Sequence, residues 1–184
     1  GDKTMMATYM ALSTLMQFVG SFVGPIIAKR LGIKGGMYSG LIIYAAALGS
    51  AYFIGKNPLI FTILLCVAMI GRNICYTIEL PLYTNVIDYT AIVNGKDVRP
   101  FMSSLYTVTI GIAKTIAGAL LGFGLATVGF DKAAVTTEAV QGIRVLLSAV
   151  PCASLAIGMI ALSMFNVTEE KLIALRKEKG LTVD

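Results

Sequence analysis

Long apolar runs separated by short polar turns set the rhythm of the chain. Five such runs, at about residues 5–28, 37–54, 59–88, 102–128 and 143–165, come close to or exceed the ~20 residues with which a helix crosses a bilayer, and most carry almost no charge. The pattern predicts an all-α integral membrane fold with five transmembrane helices in residues 1–165. Lys29-Arg30-Leu31-Gly32-Ile33-Lys34-Gly35-Gly36 reads as a basic turn after the first run. Gly55-Lys56-Asn57-Pro58 closes the second, since Gly and Pro both interrupt helices. A polar loop, Asn94 to Pro100, follows the third, and Pro151 predicts a kink in the fifth. Residues 166–184, rich in charge, are expected to form a cytoplasmic tail with a short solvated helix.

The third run changes character halfway. Arg72, Tyr76, Glu79 and Tyr83 recur at i, i+4, i+7 and i+11, one stripe of a helix, with Asn73, Thr77, Pro81, Thr84 and Asp88 beside it. Ionisable groups at membrane depth are costly unless they face protein or water. The stripe is therefore expected to line a solute pathway, or else to tie helices together through an internal Arg–Glu pair. Asp88 could equally sit at the membrane interface.

Lys114 lies near the middle of the fourth run, too deep to reach either surface easily, and shares its face with Gly111, Gly118 and Gly122. A cation in a groove of glycines needs a carboxylate, a sugar oxygen or the ligands of a bound ion. A structural pair with Glu79, or with an acid on another helix, is the competing reading. In the first run Gln17 is placed to hydrogen-bond a polyhydroxyl solute, although Gly20 and Gly24 beside it make helix packing the preferred reading.

Composition sharpens this picture. The chain is 57% hydrophobic and 14% charged, with a mean hydropathy of +0.81, against roughly 25% charge in a soluble domain. The net charge of +5 resides mainly in turns and tail, so it reads as membrane orientation and not as a nucleic-acid surface. Nine Lys and Arg fall on the side of the 29–34 turn, the 96–99 loop and the tail. Lys3, Lys56, Lys132 and Arg144 fall on the other, which predicts a cytoplasmic C-terminus. Histidine is absent, the three cysteines are scattered in apolar runs, and no phosphate loop or nucleophile elbow is present, so nothing supports an enzyme or a protein-held metal. The opening Gly1-Asp2-Lys3-Thr4 lacks an initiator Met, and five spans are one short of a six-helix transporter half. The expectation is a chain cut from something longer.

Asn85-Val86-Ile87-Asp88-Tyr89, then Gly95-Lys96, Lys114 within a glycine-rich span and Gly129-Phe130 together resemble the glycoside–pentoside–hexuronide:cation symporter family, the melibiose-permease-like branch of the major facilitator superfamily. The turn Ala28 to Lys34 is similar to that family's basic loop. The resemblance covers nearly the whole chain and implies helices eight to twelve of a twelve-helix carrier in a bacterial inner membrane. It implies symport of a sugar or glycoside with Na+, H+ or Li+ by alternating access, with no other cofactor. Lys114 matches the family's essential lysine, Tyr76 its aromatic beside the sugar, and Asp88 with Arg99 a charged pair closing the cytoplasmic side. The resemblance also implies that the coupling cation is held mainly by the N-terminal half, a partner outside this chain. The sequence departs from the family at Ala91, where an acid is frequent, and at Asp97, where Arg is frequent. Two alternatives stay open: a lysolipid:cation symporter of the same branch, and a membrane anchor or assembly subunit that transports nothing.

Overall fold

A computed structural model describes residues 3–54, 57–129 and 136–179, with the side chains of residues 3–6, 138 and 169 outside that description. Gly1, Asp2, Gly55, Lys56, Phe130 and Lys132, used above, lie outside the described residues, as do the side chains of Lys3 and Thr4. The described backbone is helical with short connections: α1 (Lys3–Ile54), α2 (Pro58–Asn94), α3 (Arg99–Thr127), α4 (Thr137–Met164) and α5 (Glu169–Glu178). The first four are long and apolar enough to span a membrane.

α1 accounts for two crossings. Its 52 residues would measure about 78 Å if straight, more than twice the ~30 Å of bilayer hydrocarbon. The helix breaks at Gly32, whose φ of 75° and ψ of 165° lie where only glycine is unstrained. Contacts with α2 establish the reversal. On the first arm Gly20 faces Ile70 and Asn73, and Gly24 faces Ile74 and Thr77, so that arm runs parallel to α2. On the second arm Gly36 meets Ile78, Gly40 meets Cys75 and Tyr44 meets Gly71, an antiparallel order. The basic loop expected over Lys29–Gly36 is thus compressed into one glycine, with helix on both sides. Gly32→Ala is expected to lower the melting temperature of the detergent-purified protein, because a β-carbon at this φ/ψ costs about 1–3 kcal/mol.

The other ends are set by local chemistry. α2 begins where the Asn57 side chain accepts a bond from the Leu59 amide at 2.9 Å, with Pro58 in the first turn. It continues past Asp88 to Asn94 and stops at Gly95, which takes a left-handed conformation. α4 starts at Thr137 rather than near 143, since Thr136 caps the Ala139 amide at 3.1 Å. Pro151 sits inside α4 without ending it.

The tightest packing joins α2 to both arms of α1. Between lipid-solvated helices there is little hydrophobic drive, so close approach and interhelical hydrogen bonds carry association. Asn73 Nδ2 donates both to the Gln17 carbonyl and to Ser21 Oγ, stitching α2 to the first arm. Ala47, Leu48 and Ala68 form a core packed by Tyr44, Leu65, Cys152 and Leu155, which brings α4 against the second arm. Tyr38 donates to the Met159 carbonyl at 3.4 Å and Cys152 to the Ala45 carbonyl at 3.5 Å, an antiparallel register. α3 lies at the periphery and has no buried residue. Phe18, Phe22, Phe53, Phe101, Phe123 and Met164 are exposed, a surface suited to lipid or to further protein and not to water.

α5 is the short helix expected in the tail, with most of its described residues exposed and one side chain docked. Leu172 is only 5% exposed, and the helix packs against α2.

Candidate functional site

The candidate site lies along α2 and α3. At one end the two helices touch. Tyr83 donates to the Met102 carbonyl at 2.6 Å, and Tyr106 donates to Glu79 Oε1 at 3.0 Å. The rings of Tyr83 and Tyr106 stack with centroids 4.7 Å apart and planes tilted by 32°. Both bonds obey one antiparallel register, in which each turn gained on α2 is a turn lost on α3. Neither structural pair weighed for Glu79 is formed: its described partner is the Tyr106 hydroxyl, and it bridges neither Arg72 nor Lys114.

Towards the other end the helices part. Tyr76 is 72% exposed, and Arg72 is exposed, with the Met69 sulfur of its own helix at 4.0 Å. Continuing the register two helical turns along α2 from Glu79 puts Lys114 of α3 at the depth of Arg72. Lys114 is exposed, and so is every residue from Gly111 to Phe123. No acid pairs with Arg72 or Lys114 among the described residues. By that register the two cations fall at similar depths on α2 and α3, with the exposed Tyr76 one turn from Arg72. Burying such a pair is tolerable only with negative charge or water between them.

The glycines flanking Lys114 behave unlike those of α1 and α2. A β-carbon on Gly111, Gly118 or Gly122 would meet nothing within 4 Å. Packing among the described residues gives no reason for them to be glycine. Beside them, an apolar groove of about 470 Å³ opens between α3 and α4, lined by Tyr44, Ala117, Leu121, Leu146 and Val150 among others.

Gln17 stands apart from this site. Its Nε2 donates to the Ser13 carbonyl at 3.3 Å, and its own carbonyl accepts from Asn73, so the residue sits in the α1–α2 seam. The packing reading of Gly20 and Gly24 matches that seam.

A second cluster forms where α2 ends. Asp88, 18% exposed, accepts from Arg176 of α5 at 2.9 Å and lies 3.5 Å from Arg99 of α3. The Arg99 side chain is 69% exposed. Sequence reasoning found Asp88 and Arg99 but missed Arg176, which is distant in the chain and marked only by the general charge of the tail. Tyr106 was missed as well; its one signal is a polar start to the fourth run, with Ser103, Ser104 and Thr107 nearby.

Residues 1–169 match the family model described as MFS/sugar transport protein. Among curated proteins the chain is 29% identical over 173 residues to a symporter, YjmB, of Bacillus subtilis (strain 168), covering 93% of this chain and 38% of that protein. It is 27% identical over 158 residues to a protein of Escherichia coli (strain K12) named as a sulfoquinovose importer, covering 85% of this chain and 34% of that one. A protein of Salmonella typhimurium (strain LT2) named as a 2,3-dihydroxypropane-1-sulfonate exporter is 26% identical over 156 residues, covering 84% and 34%. The chain thus spans a little over a third of the length of these relatives. No solved structure matches it. With the model matching nearly from end to end and the membrane-spanning helices in place, the chain belongs to the MFS/sugar transport protein family.

Proposed function

We propose that this chain is the C-terminal part of a secondary transporter that moves a polyhydroxyl solute with a coupling cation (Na+, H+ or Li+) by alternating access. On this reading it is a multi-pass inner-membrane protein with a cytoplasmic C-terminus. The N-terminal half supplies the rest of the pathway and most of the cation's ligands. Arg72, Tyr76 and Lys114 face the solute. The Tyr76 ring offers an apolar surface to the C–H face of a sugar, Glu79 and Tyr106 offer hydrogen bonds, and Tyr83 fixes the end where α2 and α3 touch.

One observation carries the reading: Arg72 and Lys114 are both exposed, and neither pairs with an acid among the described residues. A solute bearing a carboxylate or sulfonate beside its hydroxyls would answer both charges at once. Two of the relatives are named for sulfonates of this kind. In vesicles carrying the complete transporter, a sulfonated or carboxylated sugar is expected to be taken up in response to an imposed Na+ or H+ gradient. The neutral parent sugar should be carried at least about tenfold less well, the value of one charge-assisted hydrogen bond. Equal uptake of charged and neutral forms would remove the role assigned to the cation pair. The apolar groove beside α3 gives the lysolipid alternative its support, and competition of sugar uptake by lysolipid tests it directly.

A further inference from the structure

The charge cluster at the end of α2 holds one acid between two arginines, and they are not equivalent. Arg176 Nη2 lies 2.9 Å from Asp88 Oδ2, a full charge-assisted hydrogen bond, and its side chain is 25% exposed. Arg99 Nη2 lies 3.5 Å from Oδ1, beyond a good hydrogen bond, and its side chain is 69% exposed. The Arg99 backbone is nevertheless anchored, because its amide donates to Asp97 Oδ1 at 3.1 Å. Arg99 can therefore swing its guanidinium without moving α3.

The tail is built to keep Arg176 in place. Lys34 Nζ, just past the Gly32 reversal, donates to the Phe165 carbonyl where α4 ends, which aims the following segment back across the bundle. Val167, Thr168 and Glu170 then line a crevice with Gly32, Lys34 and Asn85, and Leu172 is buried one turn before Arg176. The tail helix thus packs against α2, and its arginine neutralises an acid that would otherwise be left partly buried whenever Arg99 turned away.

We infer that Arg176 is a positioning residue of the cytoplasmic gate: by holding Asp88, it frees Arg99 to exchange between Asp88 and an acceptor on the other half of the transporter. This rests on the alternating-access reading above. In a chain without Arg176, Arg99 is the partner left to Asp88 among the described residues. Releasing Arg99 then strands a charge, and the exchange slows.

Tryptic cleavage of the tail and solute flux test this in the complete transporter. In inside-out vesicles Lys171 is a natural cleavage site, and a docked helix must open before trypsin acts. Asp88→Asn and Arg176→Gln are each expected to speed cleavage at Lys171 by about tenfold, the loss of one hydrogen bond to a charged group. The double variant should cleave no faster than either single one, and Arg176→Lys should restore much of the protection. Arg176→Gln is also expected to lower Vmax severalfold while KM stays within about twofold, because substrate binding lies elsewhere. Unchanged cleavage in both single variants would overturn the docking. A released tail with unchanged Vmax, or a raised KM at constant Vmax, would overturn the gating role. Tail protection is read without solute, so absence of uptake by the unaltered protein would count against the transport reading and not against the docking.

Discussion

Replacing Lys114 by alanine in the complete transporter is expected to cut gradient-driven uptake about a hundredfold while leaving the protein folded in the membrane. The size follows from hydrogen bonds to charged groups, worth roughly 1.5–3 kcal/mol each, where about 1.4 kcal/mol is a factor of ten. Folding should be spared because Lys114 makes no bond among the described residues and lies in the stretch from Gly111 to Phe123 where every residue is exposed. Lys114→Arg keeps the charge but replaces a compact ammonium with a planar fork, so it should recover only part of the activity. Expression, monodispersity in detergent and initial rates of labelled-solute uptake decide the matter together. A normally expressed Lys114→Ala protein with wild-type uptake would remove this residue from the mechanism and favour an anchoring role.

The largest expected effect on stability comes from the opposite kind of position. A β-carbon on Gly71 would lie 2.6 Å from the Tyr44 amide nitrogen and 2.9 Å from the Gly40 carbonyl oxygen. Both are backbone atoms of a neighbouring helix, so no side-chain rotation relieves the clash. Gly71→Val must separate α2 from the second arm of α1 along the best-packed seam of the molecule. A penalty of about 3 kcal/mol or more is expected, at the upper end for overpacked sites. It should appear as a large loss of folded protein on size-exclusion chromatography and a lower melting temperature in detergent. Gly118→Ala is the matched control. With nothing within 4 Å, it should shift stability by less than about 0.5 kcal/mol. If Gly71→Val were as stable as that control, the close approach of these two helices would be wrong.

The membrane-spanning runs were legible because lipid imposes a crude rule, a long apolar stretch without charge, that composition alone satisfies or fails. Periodicity also identified the α2 stripe, since Arg72, Tyr76, Glu79 and Tyr83 are spaced for one helical face. What a face meets is another question. Glu79 had three candidate partners in Arg72, Lys114 and an acid-binding solute, and the residue it bonds is Tyr106, selected by an interhelical register that no local pattern encodes. Gln17 was ambiguous for the same reason: an amide in a lipid-embedded helix reads alike whether it serves a solute or a seam. The reversal at Gly32 was hidden in a basic run that looked like a loop, because a single backbone conformation did the work expected of eight residues. Arg176 could not be singled out at all, since its importance comes from one contact with Asp88 made across the whole sequence distance between α2 and the tail. Lys114 was conspicuous in the sequence, yet no hydrogen bond or ion pair to it forms among the described residues.

The exposure of α3 has a mechanical consequence. The helix is fastened near its start by Tyr83 and Glu79, and near its finish where Gly124 abuts Leu146 and Val128 abuts Gly142. Between those two fastenings it behaves as a beam pinned at both ends with an unsupported middle, and the middle is where Lys114 and three glycines sit. Such a beam is free to bend in its middle without breaking a buried contact, because α3 buries no residue of its own.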